Sequence, residues 1–132
     1  MNPYDLAHQL ARALAESEEY REFLDRKKKL EANRTAAEMH RDFRRRQLEL
    51  QAAEMMGREV PREKVEQFQR LAEIIGLHAE INAFISAEFR FSQLLADVQR
   101  IQVEAVEDWF KYADELSAAA SQEEPGPTPA GE

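Results

Sequence analysis

Apolar side chains recur along this chain at steps of three and four residues, and nowhere in the two-residue alternation of a half-buried strand, so the pattern predicts helices throughout. Leu6, Ala7, Leu10, Ala13 and Leu14 mark a first amphipathic helix from Pro3 to about Glu16. Proline suits its first turn, where the missing N–H has no helical partner to lose. Ser17 then interrupts and is predicted to cap a new N-terminus, whose dipole favours the acids Glu18 and Glu19. Tyr20, Phe23, Leu24 and Leu30 supply the apolar stripe of this second helix.

Asn33 and Thr35 are both cap candidates for a third helix, and Thr35-Ala36-Ala37-Glu38 has the spacing of a reciprocal capping box. Met39, Phe43, Gln47, Leu50 and Glu54 trace one line down that helix until Gly57 offers a left-handed C-terminal cap. Val60-Pro61 reopens the chain as a fourth helix, with Val65, Phe68, Leu71, Ala72 and Ile75 turned inward and Gly76 closing it.

The most regular stretch comes last. Ile81, Phe84, Glu88, Phe91, Leu95, Val98, Gln102, Ala105, Trp109, Tyr112 and Leu116 step alternately by three and four, the spacing of a helix seam. A single helix from His78 to about Ala119 would be roughly 60 Å long, whereas a compact chain of this size has a radius of gyration of only about 14 Å. The expectation is an all-α fold with a long C-terminal helix that self-associates. Phe84, Phe91, Leu95, Val98 and Trp109 are the expected homodimer seam. The helical domain is assigned to residues 1–120. Residues 121–132, with three prolines, two glycines and no bulky apolar side chain, are expected to be a disordered tail whose removal is silent for folding.

Composition agrees: Ala, Glu, Arg, Leu and Lys make up just over half the chain, the signature of long helices and coiled coils. The absence of cysteine excludes disulfide scaffolds, thiolate metal centres and cysteine nucleophiles. The N-terminus has no charged-then-apolar export pattern, and no apolar run approaches the roughly 20 residues of a membrane span. A cytoplasmic protein, with no membrane partner, is expected.

Residue patterns for catalysis and cofactors are missing. The four glycines are isolated, so no phosphate-cradling loop is present. Asp5-x-x-His8 is a lone approach to the Glu-x-x-His spacing of di-metal bundles. No serine stands in a strained strand-to-helix turn, which removes support for a nucleophilic triad. The chain is therefore read as a non-enzyme with no cofactor and no metal site.

Charge changes the picture at one place. The net charge is −8, yet residues 26–46 carry nine cations against three acids, while residues 104–132 hold eight acids and a single lysine. Arg41, Arg44 and Arg45 share one side of the third helix and are read as a partner surface that steers acidic proteins. The alternative is direct RNA binding by this basic corner, disfavoured by the overall negative charge and by the lack of interleaved stacking aromatics.

Several motifs resemble the YlbF/YmcA family of small bacterial regulators, and most closely its YheA-like branch. They are Tyr4-Asp5, Ala13-Leu14-x-x-Ser17-Glu18-Glu19, Phe43-Arg44-x-x-Gln47-Leu48-x-Leu50-Gln51, Met55 or Met56 with Gly57 and Glu59, and Ala87-Glu88-x-Arg90-x-Ser92-x-Leu94-Leu95. The resemblance implies an all-α, antiparallel helical bundle that self-associates and acts without catalysis. It further implies an adaptor for RNA-processing machinery, modulating an RNase Y-type endoribonuclease and, downstream, competence, sporulation or biofilm development. Two departures matter. The cysteines with which some such adaptors hold an iron-sulfur cluster are absent, so that cofactor does not carry over. The turn Gly76-Leu77-His78-Ala79-Glu80 also replaces the Asn-Pro of many relatives.

Overall fold

The structure, a computed structural model, describes residues 1–122, so the expected tail from residue 123 onward lies outside the described residues. Six helices run in order: α1 (Pro3–Ala15), α2 (Glu18–Ala32), α3 (Arg34–Met55), α4 (Arg62–Gly76), α5 (Ala79–Ala105) and α6 (Glu107–Gln122). No strand occurs among the described residues. Ser121 and Gln122, assigned to the tail from sequence, belong to α6. By internal packing the chain divides after Leu94 into two units.

The first unit is an antiparallel helical bundle whose turns are fixed by local chemistry. Ser17 Oγ accepts from the Tyr20 amide at 3.2 Å and caps α2, as its sequence position suggests. At the end of α3, Gly57 has φ of 66°. Its amide donates to the Glu54 carbonyl at 3.2 Å and the Arg58 amide to the Ala53 carbonyl at 2.9 Å, the paired bonds of a Schellman cap. A side chain at this left-handed position would be strained, which accounts for the glycine. Between α4 and α5, Asn82 Nδ2 donates to the carbonyls of Ile75 and Gly76, while His78 Nδ1 accepts from the Ile81 amide. One turn thus satisfies the last carbonyls of one helix and an amide in the first turn of the next.

Packing follows the stripes. Leu30 of α2, Ala36 of α3, Ile75 of α4, and Ile81 and Phe84 of α5 form the buried core, with Phe23, Met39, Phe43, Leu71 and Ile85 against it. Ile81 is completely enclosed, and burying a side chain of that size contributes about 1.5–3 kcal/mol. Aromatic contacts carry the core outward: Phe43 stacks on Phe68 at 5.2 Å, tying α3 to α4, and Phe23 meets Phe84 at 5.8 Å, tying α2 to α5.

Two sequence expectations are corrected. The capping box at Thr35 does not form. α3 starts at Arg34, two residues earlier than a Thr35 cap would set it, and Asn33 is its cap, accepting from the Ala36 amide at 3.1 Å. Asn33 also donates to Glu80 Oε2 of α5 at 2.9 Å, a tertiary bond that Thr35 does not make. The single helix from His78 to about Ala119 is interrupted at Val106, which belongs to neither α5 nor α6. There the amides of Val106 and Trp109 donate three residues back, to Val103 and Val106, rather than four. Glu107 and Asp108 then provide the acidic first turn that a fresh helix N-terminus favours.

Candidate functional site

Three surfaces carry the chemistry on which function could rest: the basic corner, a groove at the α3–α4 turn, and the apolar side of α6. Six of the nine cations in the basic corner are paired within the chain. Lys27 pairs with Glu31, Lys29 with Asp25, Arg34 with Glu38, and both Arg45 and Arg46 with Asp42. The Arg45 hydrogen bond, with Arg46 beside it, holds the Asp42 carboxyl below the usual carboxylate range. Arg26, Lys28 and Arg41 make no ion pair among the described residues.

Arg44, one of the three arginines assigned to a partner surface, is built into the fold instead. Its guanidinium pairs with Glu88 of α5, and its Nε donates to His40 Nε2 at 3.2 Å. A second bridge, Arg90 to Glu22 at 2.7 Å, ties α5 to α2. Glu88 and Arg90, polar positions beside the apolar stripe, therefore fix how α5 sits on its neighbours. The readable stripe of three arginines reduces to Arg41 and Arg45, both exposed.

His40 makes this network sensitive to acid. Its ring meets Phe84 edge-on at 5.1 Å. Partial burial, then the Arg44 charge, holds the imidazole below its ordinary range; Arg41 adds to the lowering and Glu88 opposes it. A group whose pKa is depressed in the folded chain contributes stability that is complete above its unfolded pKa and is lost as pH falls below it. The loss should begin near about pH 6.5, the unperturbed histidine value. We expect thermal midpoints measured between pH 7 and pH 5 to fall less steeply in His40→Gln than in the wild type. Equal slopes would show that this imidazole does not contribute.

The residues expected to form one homodimer seam are divided by the structure. Phe84 is 6 % exposed and belongs to the core. Phe91 packs on Tyr20 at 5.0 Å and on Phe23 at 6.2 Å. Both are occupied within the chain. Leu95 and Val98 are half-buried, and Trp109 is 62 % exposed, with Tyr112 its one ring neighbour among the described residues, at 5.9 Å. α6 has no buried residue, and Trp109, Phe110, Tyr112 and Leu116 all face solvent. At the helical repeat, Trp109, Tyr112, Ala113, Leu116 and Ala120 share one side, with Phe110 at its edge. Asp108 and Glu115 border that side on one flank and Asp114 on the other.

The groove was not legible as a site. It encloses about 600 Å³ between the C-terminal half of α3, the following turn and the start of α4. Leu50, Ala53, Met56 and Val60 give it an apolar floor, and Arg45, Arg46, Arg58 and Lys64 line it with positive charge against Glu49 and Glu59. The sequence signal that could have found it is the Gly57–Pro61 turn, which sets cations on both sides of an exposed methionine. Among the described residues, no group of three or more His, Asp or Glu side chains could hold a metal ion, and no helix is long and apolar enough to cross a membrane.

Comparisons with known proteins place this architecture. A UPF0342 protein of Caldicellulosiruptor saccharolyticus is 39 % identical over 106 residues, covering 80 % of this chain and 88 % of that protein. One from Symbiobacterium thermophilum is 41 % identical, covering 79 % and 93 %. Among solved structures, a protein of unknown function (DUF964) from Bacillus stearothermophilus superposes with a TM-score of 0.68 at 25 % identity, covering 80 % of this chain and 92 % of that one. Residues 4–107 match the family described as control of competence regulator ComK, YlbF/YmcA, a span that takes in the whole bundle and stops at the first residue of α6. On that match the chain belongs to the YlbF/YmcA family.

Proposed function

We propose that this chain is a non-enzymatic regulatory adaptor, acting by docking helical surfaces onto a second copy of itself and onto a protein of the RNA-processing machinery. The observation that carries the reading is the bare apolar side of α6, where four bulky side chains stand exposed. An exposed apolar surface bordered by charge is the mark of a protein–protein contact rather than of a reaction centre. The family's description as a competence regulator supports the same class of activity. Within it, an RNase Y-type endoribonuclease is the proposed partner, with competence, sporulation or biofilm development downstream. Any effect on RNA is then indirect, in keeping with a net charge of −8 and a basic corner whose cations are mostly paired.

The test uses purified components. The chain should bind a purified RNase Y-type endoribonuclease, and Arg41→Glu with Arg45→Glu should weaken that binding about tenfold while leaving helix content unchanged; Arg44 is left in place because it holds α5. An unchanged affinity would remove the basic corner from the docking surface. Tight retention of RNA by the chain alone at physiological salt, with affinity falling steeply as salt rises, would replace the adaptor reading by direct RNA binding.

A further inference from the structure

We propose that the apolar side of α6 from one copy of this chain seats in the α3–α4 groove of a second copy, reciprocally, so that two such contacts close a dimer. The proposal rests on the reading that the chain works by docking, and names which surfaces meet. The two surfaces are complementary in both respects that decide docking. α6 offers aromatic and aliphatic side chains and carries four acids against one lysine, a net −3. The groove offers an apolar floor and four cations against two acids; Arg45 and Arg46 share Asp42, which leaves Arg58 and Lys64 as the cations without an ion pair among the described residues.

Alternative self-pairings are poorer. Two α6 helices face to face would bring like charge against like along both flanks, an arrangement that costs free energy at a desolvated contact. Groove against groove would do the same with cations and would leave α6 bare. The groove, open to solvent along one side, offers about 600 Å³, room for a bulky aromatic side chain and its neighbours on a helix. Trp109, the largest exposed side chain on α6, is the natural anchor, since buried tryptophans dominate such contacts. The flanking Asp108 and Glu115 then meet Arg58 and Lys64. All four of these charges are exposed, and none makes an ion pair among the described residues, so their pairing with a second copy breaks nothing in the fold.

The experiment is a charge exchange in the full chain. One variant carries Arg58→Glu and Lys64→Glu; the other carries Asp108→Lys and Glu115→Lys. Light scattering at micromolar concentration should give a dimer for wild type. Each variant alone should associate at least tenfold more weakly with its bundle still folded, the one added cost being a slight loss of α6 helix where Asp108→Lys sets a cation at the helix N-terminus. Mixed in equal amounts, they should recover a one-to-one heterodimer by native mass spectrometry, because each groove then faces an α6 of opposite charge. A monomeric wild type overturns the proposal, as does a variant that dimerises like wild type, or a mixture that fails to recover. Binding of the endoribonuclease is read separately. A monomeric wild type that still binds it overturns this pairing and leaves the adaptor reading standing, and a heterodimer that recovers without binding it does the reverse.

Discussion

Phe84→Ala will lower the stability of the bundle by about 3–5 kcal/mol, whereas Trp109→Ala will leave it within about 0.5 kcal/mol of wild type. Both residues lie on the same three-and-four repeat and read as equivalent in the sequence. Their surroundings differ. Phe84 is 6 % exposed, between Phe23 and His40, so truncation leaves a cavity that helices pinned at both ends cannot collapse to fill. Trp109 stands in solvent, so its removal takes away surface rather than core. Urea unfolding followed by circular dichroism decides this, at the lowest workable concentration so that self-association adds nothing by mass action. A domain of this size has only about 5–15 kcal/mol to lose. The Phe84 variant should therefore unfold at markedly lower urea, and equal midpoints for the two variants would mean that the repeat is one continuous surface after all.

The contrast shows what a periodic pattern can and cannot reveal. The inward stripe of α4, the Ser17 cap and the Gly57 cap are local properties, set by side chains within four or five residues of one another. All three stand where the sequence puts them. What covers a stripe is not local. The seam of α5 and α6 is apolar as its spacing suggests, but residues far earlier in the chain, Tyr20, Phe23 and His40, decide that Phe84 and Phe91 are covered from within. The choice of Asn33 over Thr35 as the α3 cap is of the same kind, since Glu80 rewards it from 47 residues away. The groove exists only once two helices diverge from the Gly57–Pro61 turn, and no spacing rule describes that divergence.

In the basic corner, too, the contact that separates the three arginines is not local, and the difference has a measurable consequence. From the sequence, Arg41, Arg44 and Arg45 look interchangeable, three cations on one helix side without a matching acid at every fourth position. Reversal of Arg44 should nevertheless be the costly one. Arg44→Glu sets a carboxylate against Glu88 and removes the donor to His40, whereas Arg45→Glu disturbs only an exposed contact within α3. Two unit charges 4 Å apart interact by about 4 kcal/mol at the effective dielectric near a protein surface. The Arg44 and Glu88 side chains are 34 % and 39 % exposed, so screening reduces the expected loss to about 1–2 kcal/mol. Arg45→Glu should cost no more than about 0.5 kcal/mol. Adding Glu88→Arg to Arg44→Glu restores opposite charge across α3 and α5 and should recover at least half of the loss. If it recovers none, the bridge is an incidental contact and Arg44 is free to serve a partner, as the sequence alone suggests.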